Sequence, residues 1–422
     1  MIAKGFKQTE LGVIPEDWTF VNIGKSATLK ARIGWQGLTT NEYLDVGDYG
    51  LITGTDFING FIDWDNCVYV NKERYVQDIN IQVKVDDILV TKDGTIGKVA
   101  IIDNVPQPTT LNSGVFILRP IKKTFLPKYL YHILISGHFK EFLSRLTAGS
   151  TINHLYQKDF VHYSFPTPQT LKEQEAIAKV LTDTDNLIQA VEKVIAKKKA
   201  IKKGAMQQLL TPPNKGGKRL PGFSGEWVEK LVSETIEVSR GGSPRPIQDY
   251  ITNLEEGVNW IKIGDTSKKS KYISSSKEKI IPEGADFSRK VFKGDFLLSN
   301  SMSFGRPYIM KIDGCIHDGW LVLQKYQENF NKEFLYYTLI SENVFHQYLT
   351  KASGSGVLNL NKELVKTIIL NSPPTLKEQE AIATILSDMD KEIEALEVKK
   401  EKYIQLKKGL AQELLTGKTR LV

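Results

Sequence analysis

Thr170 to Thr211 reads TLKEQEAIAKVLTDTDNLIQAVEKVIAKKKAIKKGAMQQLLT, and Thr375 to Thr416 reads TLKEQEAIATILSDMDKEIEALEVKKEKYIQLKKGLAQELLT. The two stretches align without a gap and 23 of their 42 positions are identical, so the chain holds one segment written twice. Weaker echoes at nearly the same offset surround them. IPEDW, with Trp18, answers to SGEW, with Trp227; VDDILVTKDGTIGKVAII answers to KGDFLLSNSMSFGRPYIM; YLYHILIS pairs with FLYYTLIS, and GSTINHL with GSGVLNL. The chain is one unit repeated, each copy a globular module followed by a helix.

Both repeated segments carry apolar residues at alternating spacings of four and three. In the first these are Ile177, Leu181, Ile188, Val191, Ile195, Ala205 and Leu209; in the second they are Ile382, Leu386, Met389, Ile393, Leu396, Tyr403, Leu410 and Leu414. Such heptad seams predict a coiled coil, and a helix of this length spans on the order of 60 Å. The seam positions Ile177, Leu181, Ile188, Ile382, Leu386 and Ile393 are the candidate partner-binding residues. The linker TPPNKGGKRLPGF reaches at most roughly 40 Å, so the second module must start near the far end of the first helix. An antiparallel return is then expected, bringing the lysines at 197 to 203 close to Asp388, Asp390 and Glu392.

A chain of 422 residues exceeds one ordinary core, and 41% apolar content marks folded domains. The predicted division is 1–169, first module; 170–211, central helix; 212–374, second module; and 375–422, C-terminal helix. Short β-rich runs separated by Gly, Asn, Asp and Pro, with amphipathic helical stretches at 127–146 and 332–351, make each module α/β and the fold class α+β. The expected architecture is two pseudo-symmetric modules separated by two long helices in an antiparallel coiled coil. No apolar run of about 18 residues is present and the N-terminus lacks signal-peptide layout, which predicts a cytoplasmic protein with no membrane partner. The net charge is +7, and residues 193–219 hold nine Lys or Arg without an acid. That segment suits a polyanion or is a solvated lysine-rich helix face.

Several loops combine glycine, hydroxyl, amide and basic side chains. In the first module the candidate DNA-binding residues are Arg32, Trp35 and Gln36; Lys92, Thr95 and Lys98; and Ser150, Thr151 and His154. In the second they are Arg240, Ser243 and Arg245; Asn300, Ser301, Ser303 and Arg306; and Ser355. Glycine admits close backbone approach, hydroxyls and amides bond phosphates, and arginine grips guanine bidentately.

Catalytic and metal-ligating residues do not emerge. NSPPT at 371–375 departs from an Asn-Pro-Pro-aromatic methyltransferase motif, and GTIGK at 94–98 lacks the flanking residues of a phosphate-binding loop. Asp86, Asp87 and Lys92 approach a nuclease cluster, but Asn300 replaces the lysine in the second copy. Cys67 and Cys315 stand alone and the six histidines are scattered. The rivals to DNA recognition are a coiled-coil scaffold that binds peptides and a single-chain methyltransferase or nuclease.

The duplicated LKEQEAIA helices with KKG…LLT ends, the IPEDW and SGEW openings, GSTINHL, RGGSPRPI and NWIKIGD together resemble the specificity subunits of type I restriction-modification systems, over essentially the whole chain. The resemblance implies that each module is a target-recognition domain for one half of a bipartite, asymmetric site in double-stranded DNA. It implies that the paired helices set the half-site spacing and dock two methyltransferase subunits, and that restriction and translocase subunits join the assembly. S-adenosylmethionine is then expected on the methyltransferase partner, with no cofactor in this chain. The first module departs from the pattern at its opening loop, LKARIGWQGL.

Overall fold

The computed structural model describes residues 4–9, 12–147, 154–267, 270–300, 304–352 and 359–421. The chain packs as two compact units, one formed by Met1–Glu192 with Lys399–Val422 and the other by Lys193–Val398. Each unit therefore holds one module and a portion of both long helices. Among the described residues no helix is long and apolar enough to cross a membrane.

In the first unit a four-stranded antiparallel sheet runs in the order Val99–Ile101, Ile88–Thr91, Val115–Pro120, Ala27–Lys30. Its strands read as nearly continuous apolar runs because both faces are buried. Ile88, Val90, Phe116 and Leu118 face one core with the helices that follow, whereas Leu89, Val115 and Ile117 face a second core with Ile52 and Leu111. Those two residues belong to a three-stranded sheet in which Thr109–Leu111 runs parallel to Tyr49–Ile52. The second unit repeats the plan: Phe296, Leu298, Leu321 and Leu323 point to one core, and Leu297, Trp320 and Val322 to another. Its two sheets are larger, five strands each.

The expected helical stretches at 127–146 and 332–351 are each two helices, Pro127–Leu134 with Gly137–Thr147 and Lys332–Leu339 with Glu342–Ala352. A serine makes each break. Ser136 Oγ donates to Ile133 O and accepts from the His138 amide, and Ser341 does the same with Thr338 and Val344. Hydroxyls that bond nearby backbone in this way compete with continuation of the helix.

The long helices are Leu171–Leu209 and Leu376–Leu414. They run antiparallel within each unit. In the first, Lys407 meets Asp185 at 2.6 Å and Lys400 meets Glu192 at 3.5 Å; in the second, Lys198 meets Glu392 at 2.6 Å and Lys202 meets Asp390. These lysines interrupt the heptad seam because each has an acid opposite. Of the nine basic residues in 193–219, six meet an acid: besides Lys198 and Lys202, Lys199 pairs with Glu397, Lys203 with Glu342, Lys215 with Glu229 and Arg219 with Glu378. Those pairs lie within the stretch's own unit, on a largely exposed helix face.

The motif TLKEQE has a structural reason at three of its letters, the threonine, the first glutamate and the glutamine. Thr170 and Thr375 accept from the amides of Glu173 and Glu378, capping the helix start. Gln174 accepts from Leu126 N at 2.9 Å and donates to Pro168 O, and Gln379 accepts from Asn331 N at 2.8 Å and donates to Asn329 O, so each glutamine fastens the helix to its module. The buried Glu173 is gripped by Arg420, and the buried Glu378 by Arg219.

One expectation is corrected here. Ile177 and Leu181 lie fully buried in the core of the first unit, Ile382 and Leu386 in that of the second, and Ile393 is also buried. The helix starts pack into the modules, so these side chains have no surface left for another subunit; Ile188 is half-buried. The exposed large apolar residues of the first long helix are instead Leu171 and Leu187 in the first unit and Val194 and Ile201 in the second.

Candidate nucleic-acid interface

The candidate loops lie where each module's central hairpin turns. In the first unit the hairpin between Ile88–Thr91 and Val99–Ile101 is held by four backbone hydrogen bonds. Thr91 N donates to Lys98 O at 2.9 Å, Gly97 N to Thr91 O at 2.9 Å, Lys92 N to Gly114 O at 2.9 Å, and Leu155 N to Lys92 O at 2.8 Å. The second unit makes the same four at matching positions: Ser299 N to Arg306 O at 3.1 Å, Gly305 N to Ser299 O at 3.0 Å, Asn300 N to Gly319 O at 3.3 Å, and Leu360 N to Asn300 O at 2.8 Å. Gly97 and Gly305 have φ of +79° and +69°, and a Cβ would lie 2.3 Å from Leu143 or 2.8 Å from Tyr348. Only glycine fits both demands.

On this shared frame the tips differ. In the first unit Lys92 lies over the Phe116 ring, Asp93 pairs with His154, and the His154 ring packs on Tyr156 with centroids 4.4 Å apart. Thr95 is exposed at the turn, and the Lys98 ammonium reaches Gly54 O at 3.4 Å. In the second unit the groups converge on Asp318. Arg240 Nε donates to Asp318 O at 3.1 Å, Asn300 Nδ2 to the same oxygen at 3.3 Å, and Ser243 Oγ to Asp318 Oδ1 at 3.1 Å. Arg245, with 82% of its side chain exposed, comes within 3.6 Å of Asp318 Oδ2. Arg240, Lys262, Asn300, His317 and Asp318 line a shallow cleft of about 420 Å³. Burial pushes the His317 pKa down, favouring its neutral form. The Arg306 guanidinium lies over the Tyr308 ring at 5.4 Å.

Three sequence candidates are turned inward. Arg32 is 2% exposed and donates to Leu111 O at 2.8 Å, Thr110 Oγ1 at 3.1 Å, Gln77 Oε1 at 3.2 Å and Arg74 O at 3.3 Å, which makes it an internal strut and not a DNA contact. Burial lowers its pKa. Gln36 is buried too, and Asn300, 8% exposed, uses its amide to hold the Asp318 loop. Strand register explains the arginine. Lys30 opposes Ile117 and Arg240 opposes Leu321, so Arg240 falls where the first module has Ala31, and Arg32 falls at Gly241. Gly241 admits no side chain, since a Cβ would sit 2.0 Å from His317 O.

Ser150, Thr151, Ser301, Ser303 and Ser355 lie outside the described residues, as does the Trp35 side chain. Sequence reasoning missed Asp93, Lys262, His317 and Asp318. A signal for the last two existed, because aligning the repeats sets His317-Asp318-Gly319 on Asn112-Ser113-Gly114 just ahead of matching apolar strands.

The model of the type I restriction modification DNA specificity domain matches residues 15–202 and 225–406. A relative from Methanocaldococcus jannaschii that carries the MjaX specificity-subunit name is 30% identical over 99% of this chain and 97% of its own. The type I restriction enzyme MjaVIII specificity subunit of the same organism is 28% identical over 99% and 96%. The crystal structure of the type I restriction-modification S subunit from M. genitalium shares the fold, with a TM-score of 0.58 at 16% identity over 94% of this chain and 96% of that one.

Proposed function

The chain belongs to the type I restriction-modification DNA specificity family, and from that premise we propose that it is the sequence-reading subunit of such a complex: each module reads one part of a bipartite, asymmetric DNA site, and the chain positions two methyltransferase subunits, with restriction and translocase subunits joining them. The observation that carries this reading is the hairpin frame built twice with four equivalent hydrogen bonds and different polar tips. Two like readers with unlike contacts suit an asymmetric, two-part sequence. Arg240, Ser243 and Arg245 on the Arg240–Arg245 loop of one module, and Lys92, Thr95, Lys98 and His154 at the hairpin tip of the other, are the groups that we assign to DNA. Val194 and Ile201, exposed in the second unit, offer apolar positions for a partner helix. We assign the chain no catalytic step. Methyl transfer belongs to the methyltransferase partner, which would bind S-adenosylmethionine, and the complex would work in the cytoplasm.

The test is the methylated motif of cells carrying the chain with its methyltransferase, for wild type and for Arg240→Ala/Arg245→Ala. Loss of bidentate base contacts is worth roughly 1–3 kcal/mol each, so the second half-site should become degenerate while the first is unchanged. Uniform weakening over all sequences would reduce these arginines to phosphate contacts. The rival, a peptide-binding scaffold, would show little salt dependence, whereas DNA binding should weaken steeply with salt.

A further inference from the structure

We propose that Asp318 is a base-reading residue of the second module, its carboxylate accepting a hydrogen bond from the exocyclic amino group of a cytosine or an adenine. This rests on the DNA-reading function above and names the group that is read. Among the described residues lining the cleft with Arg240 and Lys262, Asp318 is the only acid. A half-exposed carboxylate there repels phosphate, which is what a cleft built only to hold the DNA backbone would exclude. Its orientation is nevertheless fixed at several points. The backbone carbonyl is held by Arg240 and Asn300, Oδ1 is held by Ser243, and the Asp318 amide lies 3.4 Å from Ser243 Oγ.

Among the described residues the remaining oxygen, Oδ2, meets only the Arg245 guanidinium, at 3.6 Å and on a side chain that is 82% exposed. That contact is longer than a hydrogen bond. A fixed carboxylate with one loosely engaged oxygen is an acceptor for a donor arriving from outside. In the major groove the donors on base edges are the cytosine N4 and adenine N6 amino groups, and acidic side chains read the former. Arg245, displaced from Oδ2 by such a donor, remains beside it for a phosphate or a neighbouring guanine. The first module has Ser113 at the equivalent place, whose hydroxyl donates to Asn112 Oδ1. The acidic reader therefore belongs to one half-site alone.

The experiment uses the complex of the chain with its methyltransferase subunits. Wild type, Asp318→Asn and Asp318→Ala are compared by genome-wide methylated motif and then by binding to synthetic duplexes. In these, one cytosine of the second half-site at a time is replaced by 2-pyrimidinone, or one adenine by purine, each lacking the amino group. At one position the amino-free base should weaken wild-type binding about ten-fold or more and leave Asp318→Ala unaffected, and the same position should become degenerate in the variants' motif. Whether the pyrimidinone or the purine series responds identifies the base. If every amino-free base affects wild type and Asp318→Ala equally, or if both variants bind more weakly with an unchanged motif, Asp318 only holds the arginines and the proposal is overturned. A wild-type complex with no preferred sequence would instead overturn the DNA-reading function on which it rests.

Discussion

Arg420 ties the end of the second long helix to the start of the first, and Arg420→Ala measures how far the first unit depends on that tie. The guanidinium meets both oxygens of Glu173, Nη2 lying 2.8 Å from Oε2, and both oxygens of Asp17, at 3.0 and 2.8 Å. Glu173 is 2% exposed, so the substitution strands a buried acid. Breaking a fully buried pair costs about 3–5 kcal/mol and an exposed one about 0–1. The Arg420 side chain is 35% exposed, which places the loss between them at about 2 kcal/mol. For a unit of about 200 residues, each kcal/mol lowers the melting point by roughly 2–4 °C, so the first unit should melt roughly 4–8 °C lower. Calorimetry on the full chain reads the shift, and Arg420→Lys, which keeps the charge but loses the fork, should fall between. Arg420 also holds the Asp17 carboxyl below its usual value of 3.8. A depressed carboxylate stabilises above that value and loses its contribution as pH falls through the lowered one, so acid should narrow the gap between wild type and Arg420→Ala. A shift under about 1 °C for Arg420→Ala, or additive effects of Glu173→Gln and Arg420→Ala, would refute the reasoning.

Four further outcomes are expected. Tyr337 donates to Asp390 Oδ2 at 2.6 Å, but its counterpart is His132, and among the described residues Asp185 Oδ2 has no partner; His132→Tyr should therefore stabilise the first unit by about 1 kcal/mol in thermal unfolding. Burial holds the His132 pKa at about 3 against an ordinary 6.5, so the wild-type unit should lose stability as pH falls below 6.5, by at most about 1.4 kcal/mol per pH unit, and His132→Tyr should abolish that slope. Residues 1–211 alone lack Leu410, Leu414 and Leu415, which belong to or pack on the first core; that fragment should dimerise and, with methyltransferase, modify a palindromic motif, and a monomer by sedimentation would refute this. Inserting four residues after Lys203 adds about one helical turn, or about 6 Å, and should widen the spacer of the methylated motif by one or two base pairs with both half-sites unchanged.

The long helices were legible because their signals are local. Heptad spacing marks a buried face, and Thr170 with Glu173 and Thr375 with Glu378 mark the starts. What covers that face was not legible. Ile177 and Leu181 fit a free coiled-coil seam as well as a module core, since periodicity reports burial and not the partner. Arg32 failed for a related reason. An arginine in a glycine-containing loop reads as a contact, but its acceptors on Arg74, Gln77, Thr110 and Leu111 are spread over distant sequence and meet only on folding. Linker reach and charge pointed to an antiparallel return with the lysines at 197 to 203 near Asp388, Asp390 and Glu392; Lys198 meets Glu392 and Lys202 meets Asp390, whereas Asp388 pairs with Lys391 on its own helix.

The comparison of the two modules separates what holds the readers from what they read. The four backbone hydrogen bonds, the left-handed glycine and the serine breaks recur in both units, and each depends on main-chain geometry or on a residue with little choice of side chain. Between those fixed points the modules differ freely: Lys92 against Asn300, Ser113 against Asp318, Ala31 against Arg240. None of these substitutions touches a frame bond, because Lys92 and Asn300 enter the frame only through their amides and carbonyls. Tip residues can therefore change without refolding the hairpin, provided that no side chain is asked of Gly97, Gly241 or Gly305. Arg32 marks the limit of that freedom. Its guanidinium is spent on four internal bonds, so the first module offers the hairpin tip at Lys92–Lys98 with His154 for the proposed readout, and the second offers the Arg240–Arg245 loop as well.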